Sequence, residues 1–355
     1  MSQILGILES CLSYPSADNC QPFRFRVVSD TEVEIFHDGA TAAHRLNGTK
    51  IASWLSLGTL LETISLRAGQ SGYHVRTQNL LAQNASQDGS SKWAVLHLQK
   101  ADIILSSDDK VLASALNDRC VNRNLYETAA IAEEDIQWLT AEAQKNLSAD
   151  LEKVLLNIEE EAWKDERTAF DVLKWIRFDA KTIQASRDGM PWHSLGLKFY
   201  QKPFLKLFVK FPAIYNLLAK AGATKENRKA FQNQIQHSAG FGWMALNRYN
   251  PQDICEAGRT MFRMWLYLTA RGYAYQPMNL ATLPSFDFHF DKLPTDWPQN
   301  LKKLYPVAID LIQRDSMMGN HCFPMWGFRT GKAAALPAQA RTLRKSMDEI
   351  TLKAA

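Results

Sequence analysis

Residues 3–37 read QILGILESCLSYPSADNCQPFRFRVVSDTEVEIFH, and the order of helix, breaker and hairpin within them decides the fold class. Ile4, Ile7, Leu8 and Cys11 recur at helical spacing over residues 3–13. Tyr14-Pro15-Ser16-Ala17-Asp18-Asn19 stops that helix with turn-forming residues. Residues 23–28 and 32–37 then alternate with period two on either side of Ser29-Asp30-Thr31, which predicts a β-hairpin. Working outward, residues 51–68 read as a long helix whose wide apolar face carries Ile51, Trp54, Leu55, Leu57, Leu61 and Ile64. Residues 73–77 and 93–99 read as strands separated by a polar turn, and this first unit closes near Ser107.

Beyond it the pattern predicts helices over 109–117 and 133–145, a short strand over 154–158 and a charged helix over 160–178. A strand over 240–246 precedes a strong helix over 251–271, striped by Ile254, Met261, Met264, Trp265 and Leu268, with Gly272 at its C′ position. Strands and helices alternate without a βαβ rhythm, so the expected class is α+β. The expected division is 1–107 and 108–355, the second unit carrying a basic aromatic insert at about 188–230.

With 355 residues, 46% apolar and 22% charged, the chain is long enough for a large core and too aromatic for disorder. The net charge of +4 is too small to indicate nucleic acid. It is nevertheless uneven. Residues 198–230 hold Lys198, Lys202, Lys206, Lys210, Lys220, Lys225, Arg228 and Lys229 against one acid, Glu226, so that this stretch is +7 and the remainder −3. Phe199, Phe204, Phe208, Phe211 and Tyr215 lie between the lysines, and Pro203 and Pro212 limit the stretch to two short helical pieces. Three roles suit it: a cover over a binding cleft, a partner or dimer surface, or contact with an anionic membrane. No apolar run approaches the length of a membrane span, and the first residues lack the basic start of a secretory signal. The five scattered cysteines (Cys11, Cys20, Cys120, Cys255, Cys322) form no CxxC pair and read as reduced, which points to the cytoplasm.

Three segments carry chemistry. Pro15-Ser16-Ala17-Asp18-Asn19-Cys20-Gln21-Pro22-Phe23 offers hydroxyl, amide and backbone donors suited to the edge of a heterocycle, although it also serves as a helix stop. Arg119-Cys120-Val121-Asn122-Arg123 places two guanidiniums four residues apart, able to converge on a phosphate or to sit apart in solvent. Trp326-Gly327-Phe328-Arg329-Thr330-Gly331-Lys332 is a glycine-flanked basic pair, suited to a phosphate or to the solvated surface.

Taken in order, these segments resemble the FMN-dependent nitroreductase superfamily, and in particular its Acg-like branch, in which two such units are fused in one chain. The family's PSxxNxQPW-type loop, RxTxR-type stretch and late arginine are similar to PSADNCQPF, RCVNR and GFRTG here. Lys174-Trp175-Ile176-Arg177, Arg187-Asp188-Gly189-Met190-Pro191 and Ala257-Gly258 through Arg271-Gly272-Tyr273 resemble its W-x-R, DG-x-P and glycine-bearing helix motifs. The resemblance implies an internal pseudo-dimer around one flavin site. It implies that Ser16 and Asn19 contact the isoalloxazine ring, that Gln21 belongs to the cofactor-binding set, that Gln276 and Pro277 present backbone donors beside the flavin, and that Arg119, Arg123 and Arg329 hold the FMN phosphate. It implies NAD(P)H and an electron-poor small molecule as partners, with a protein that only sequesters FMN as the alternative. Two departures stand out: Phe23 replaces a tryptophan, and Val121 stands where the family has a hydroxyl. The first helix has no Arg-x-Ser motif, which fits one flavin per chain.

Two histidine segments stand outside this pattern. On a strand, Asp287, His289 and Asp291 would share one face and could ligate a metal, though a polar strand face or a loop is the expected reading, with no metal. His193 suits either a lid over the active site or an exposed loop. No GxSxG, P-loop, HExxH or GxGxxG motif occurs.

Overall fold

A computed structural model describes residues 3–84, 90–102, 105–138, 143–144, 146–197 and 199–353. The first part runs α1 (Gln3–Ser10), β1 (Phe23–Val27), β2 (Glu32–Asp38), α2 (Ile51–Gln70), β3 (Tyr73–Asn79), α3 (Leu81–Asn84) and β4 (Ser90–Lys100). There follow α4 (Ser107–Ala115), α5 (Glu133–Trp138), β5 (Ala143–Gln144), α6 (Ala149–Lys164), α7 (Glu166–Leu173), β6 (Ile176–Arg177), α8 (Ala180–Ser186) and β7 (Met190–Pro191). The insert forms α9 (Lys202–Lys210), α10 (Pro212–Lys220) and α11 (Thr224–Gln236). The chain closes with β8 (Gly240–Leu246), α12 (Pro251–Ala270), β9 (Ala274–Pro277), α13 (Asn279–His289), α14 (Gln299–Asp315), β10 (Phe323–Gly331) and α15 (Met347–Ile350). The class is α+β, as the pattern predicts.

Two four-stranded sheets share one topology. The first has the order β1-β2-β4-β3 and the second β5-β8-β10-β9, with every neighbour antiparallel. In each, a strand leads into a twenty-residue helix, a strand returns at the edge, and the last strand inserts between them. For the long helices and the turns that follow them the shift is 200 residues: α2 begins at Ile51 and α12 at Pro251, and left-handed glycines follow them at Gly72 and Gly272. The two helices pack against each other through Gly58 and Gly258. A Cβ on Gly58 would stand 2.0 Å from the Cys255 carbonyl oxygen, and one on Gly258 2.3 Å from that of Leu55. Only glycine permits backbones this close. Buried Glu62 on α2 then pins the crossing by accepting from Arg259 (3.0 Å) and Arg263 (2.5 Å) on α12.

The main core joins α1, α2, α4 and α12 to the inner faces of both sheets. Within it His37 is 2% exposed, stacks on Trp93 with ring centroids 3.8 Å apart, and shares a 3.0 Å hydrogen bond with Ser53 Oγ. Burial pushes His37 down to about 4 from its ordinary 6.5. The unfolded chain therefore binds more protons between those values, and the stability this residue contributes is present above 6.5 and lost as pH falls toward 4. Denaturant titrations should show about 2 kcal/mol less stability from this group at about pH 5 than at about pH 7, and His37→Phe should remove that difference. An unchanged pH slope in the variant would contradict the assignment.

Several expectations change. Residues 154–158 are not a strand but lie within α6, because Leu151, Leu155, Ile158 and Ala162 bury one helical face and Ser148 Oγ caps it by accepting from Leu151 N. The charged helix expected over 160–178 is divided: Asp165 ends α6 and caps α7, and β6 pairs in parallel with β7. The helix expected over 133–145 is helical only at Glu133–Trp138, while Ala143–Gln144 pairs with β8; residues 139–142 and 145 lie outside the described residues. Residues 287–289 close α13 and 290–291 form the turn after it, so of the two readings, strand face or loop, the strand is not formed. Asp287 turns inward to accept from Tyr249 Oη (2.8 Å) and Thr49 Oγ1 (3.0 Å), so Asp287, His289 and Asp291 share no face. Among the described residues no group of three His, Cys, Asp or Glu side chains could hold a metal. All five cysteines are free, and burial pushes Cys11, Cys20 and Cys255 up to about 12. No described helix is long and apolar enough to cross a membrane.

Candidate functional site

A cavity of about 390 Å³ lies where α2, α12, the loop after α1, the segment after α4 and the C-terminal segment 340–344 meet. The loop after α1 owes its shape to three left-handed residues, Asp18 (φ 47°), Asn19 (φ 58°) and Gln21 (φ 53°). Aspartate and asparagine tolerate this conformation, whereas at Gln21 it costs on the order of 1–2 kcal/mol. Long-range hydrogen bonds offset that strain. Gln21 Nε2 donates to the Arg187 carbonyl (2.9 Å), and Gln21 Oε1 accepts from Lys345 N (2.8 Å). Asn19 Nδ2 donates to the Gly189 and Leu343 carbonyls, both at 3.0 Å. Ser16 Oγ accepts from Gln21 N (3.0 Å). The loop is thus stitched to both the Asp188-Gly189 turn and the C-terminal segment.

Four arginines line the cavity: Arg119, Arg123, Arg341 and Arg344. Among the described residues none of them pairs with a carboxylate. Arg119 donates to the Ser13 carbonyl (3.0 Å) and lies 4.6 Å from the Trp265 ring centroid. Burial, reinforced by Arg344 and Arg341, pushes Arg119 down to about 9. Burial likewise pushes Arg344 down to about 10. Among the described residues the Arg344 guanidinium bonds the carbonyl and hydroxyl groups of its own segment, at Thr342 and Leu343. Arg123 donates to the Ser194 carbonyl (3.0 Å) and Arg341 to that of Asn117 (2.8 Å). Buried polar atoms without a protein partner gather on the same lining: Ser13 Oγ, Asn19 Oδ1, Arg119 Nε, Asn279 Oδ1 and Arg344 Nε. Such atoms are rare in native folds, and a cluster of them marks a place where a ligand completes the bonding. His44 also lines the cavity. Its Nδ1 accepts from Leu46 N (3.0 Å), which leaves the proton on Nε2, 3.2 Å from Asp18 Oδ2 but poorly aligned with it.

Of the residues expected at the site, Ser16, Asn19, Arg119, Arg123 and Pro277 line the cavity. Gln21, Gln276 and Arg329 do not. Gln21 braces the loop from behind. Arg329 is 0% exposed: its Nε donates to Gln276 Oε1 (2.8 Å), its Nη2 to the Asn124 carbonyl (2.7 Å), and its guanidinium lies 3.8 Å from the Tyr126 ring centroid. The register that pairs Arg329 with Gln276 spends both side chains on each other. Pro277 has no N–H to give, and the N–H of Met278 is bonded to the Gly327 carbonyl (2.7 Å), so the backbone donors expected here are not free. Val121 reaches the lining, and its backbone bridges Tyr275. His193 stays outside the cavity, which Ser194 enters.

Arg341, Arg344, His44 and Asn279 were not legible as site residues. The available signal was Arg341-Thr342-Leu343-Arg344-Lys345, three basic residues in five just beyond the last long strand. Of the insert expected over 188–230, Met190 and Ser194 line the cavity, whereas no residue of the basic helical stretch over 199–236 does. Its inner side chains Leu205, Phe208 and Tyr215 pack instead against Ala169, Leu173 and Trp192. Lys198 and the Lys220 side chain lie outside what the structure describes.

No family model matches the chain, and no curated protein matches it. Among solved structures it is similar to the FMN-dependent nitroreductase NfnB from Mycobacterium smegmatis in complex with NADPH, at 14% identity and TM-score 0.35, covering 69% of this chain and 99% of that one. It is similar to the FMN- and NADPH-dependent nitroreductase NfnB from Sphigopyxis sp. strain HMH, at 14% identity and TM-score 0.34, with the same coverage of 69% and 99%. A putative nitroreductase from Anabaena variabilis ATCC 29413 matches at 10% identity and TM-score 0.37, covering 94% of this chain and 74% of that one. At these TM-scores the likenesses carry no argument about the site.

Proposed function

We propose that this chain is an FMN-binding oxidoreductase of nitroreductase type. Residues 1–107 and 108–355 act as the two halves of an internal pseudo-dimer that share one flavin site. The partners are NAD(P)H and an electron-poor small molecule. One observation carries the reading: a cavity of about 390 Å³ joins apolar walls to buried guanidiniums that have no carboxylate partner. That donor set suits a ligand with a flat apolar body and a phosphate.

Arg119, Arg341 and Arg344 would hold the phosphate, with Arg123 beside them. Each charge-assisted hydrogen bond to it contributes roughly 1.5–3 kcal/mol and relieves the burial of an unpaired cation. Ser16, Asn19 and Asn279 would bond the heteroatoms of the ring, the two orphaned amide oxygens accepting from a ring N–H. Leu55, Met261, Trp265, Leu283 and Trp326 would exclude water from its faces. His44 Nε2 would be one of the hydrogen-bond donors on the lining. Bound FMN supplies the two-electron redox chemistry that these side chains lack.

An FMN titration followed by flavin fluorescence and the visible spectrum tests this. Saturable binding is expected, followed by anaerobic bleaching when NADH or NADPH is added. A protein that leaves flavin fluorescence unchanged is not a flavoprotein. One that binds FMN but stays yellow with both nicotinamides holds flavin without turning it over.

A further inference from the structure

Eight of the fourteen large hydrophobic side chains exposed among the described residues lie between 199 and 218: Phe199, Tyr200, Phe204, Leu207, Val209, Phe211, Leu217 and Leu218. Phe199 is 80% exposed, Leu217 69% and Phe204 59%. The spacing on α9 explains why. Leu205 and Phe208 face inward to the cluster around Leu173 and Trp192, while Phe204, Leu207 and Phe211 recur at i, i+3 and i+7 on a second, solvent-facing apolar row. Lys202, Lys206 and Lys210 form a third row at i, i+4 and i+8. The two apolar rows adjoin to make one wide arc, of which the core takes only the Leu205 and Phe208 side, and the exposed remainder requires a second apolar medium.

The lysine row that borders this apolar arc decides which medium. Among the described residues no carboxylate pairs with Lys202, Lys206 or Lys210; their ammonium groups lie over the rings of Trp192, Phe178 and Phe211. Of the nearby acids, Asp179 caps α8 through Thr182 and stands within electrostatic reach of Lys206 and Lys202 without forming an ion pair, and Glu226 pairs with Lys229. A second copy docked by twofold symmetry would set this +7 stretch against itself. The cavity is not the occupant either, since no residue of α9 or α10 lines it.

We infer that the exposed face of α9 and α10 is a docking surface for an anionic lipid bilayer. Phe204, Leu207, Phe211 and Leu217 enter the acyl boundary while the lysines reach the headgroups, the arrangement of an interfacial amphipathic helix. This inference is independent of the flavin reading and is tested without flavin.

Flotation of the full chain with vesicles of phosphatidylcholine alone, and of phosphatidylcholine with phosphatidylserine, is the experiment. The protein should float with the anionic vesicles, weaken as salt rises, and bind the neutral ones far less. Phe204→Ser with Phe211→Ser, and separately Lys206→Glu with Lys210→Glu, should each lower binding on the order of tenfold or more. All four residues are exposed, the Lys206 ammonium lying over the Phe178 ring and that of Lys210 over the Phe211 ring, and a thermal melt of each variant close to the parent's separates lost binding from lost folding. Absence of wild-type binding to anionic vesicles overturns the inference, as does binding that both variants retain. A wild-type dimer that the phenylalanine variant converts to monomer, with no vesicle binding, identifies a second copy as the occupant and overturns it as well.

Discussion

Arg119→Met combined with Arg344→Met should weaken FMN binding roughly a thousandfold while leaving the apoprotein as stable as before, or more so. Each lost contact to a phosphate is worth about 1.5–3 kcal/mol, and each 1.4 kcal/mol is about tenfold in affinity. The stability half of the prediction rests on burial. Both guanidiniums are driven down from their ordinary values by desolvation, Arg344 adds to the effect on Arg119, and no carboxylate offsets either. Methionine fills a similar volume without a charge, an exchange that is often neutral or stabilising. The one bond forfeited by Arg119 within the protein, to the Ser13 carbonyl, is worth about 1 kcal/mol. Flavin fluorescence titration reads the first quantity and urea denaturation of the apoprotein the second. An affinity within about threefold of the parent sinks the phosphate assignment.

For Arg329→Ala the expectation is the reverse: a loss of about 3–5 kcal/mol in folding stability, with little change in FMN affinity per folded molecule. The guanidinium is fully buried and tethers elements far apart in sequence. It donates to Gln276 and Asn124, reaches the Gln234 and His237 carbonyls at 3.3 Å, and stacks on Tyr126. Truncation strands those acceptors in a site that water cannot readily refill. Arg329→Lys should rescue little, because an ammonium cannot reproduce a planar fork of five donors. The denaturation midpoint measures the effect. A variant that folds normally but has lost FMN would return Arg329 to the phosphate site.

The contrast between these arginines shows how far the residues can be read without the fold. Arg119, Arg123 and Arg329 look alike as basic residues near turns, and nothing local separates them. The register of β10 against β9 turns Arg329 into a tether, while Arg341 and Arg344, in a tail with no regular pattern, arrive beside Arg119. The misread strand at 154–158 has a similar cause. Val-Leu-Leu-Asn-Ile is apolar enough for either period, and only the wider spacing from Leu151 to Ala162 selects the helix. The internal repeat is faint because geometry demands particular residues at few places. Gly58 and Gly258 at the helix crossing, and Gly72 and Gly272 at the following turns, are required by close approach or positive φ. Between them any apolar residue of suitable size satisfies the packing.

What the sequence determined by itself is local. Helical and strand periodicity, proline and glycine punctuation and the Pro15–Phe23 loop set the order of elements in the first unit, and the run of lysines with aromatics marked out the insert. Those signals act within a few residues, where backbone sterics and side-chain period dominate. Tertiary structure decided which of these parts share a cavity. Asn19 bonds Leu343, Gln21 bonds Lys345, and Arg119 faces Arg344 only after segments more than 200 residues apart are brought together by the α2–α12 crossing and the two sheets. A guanidinium's role is set by what surrounds it once water is removed, and burial of that kind is a property of the packed chain.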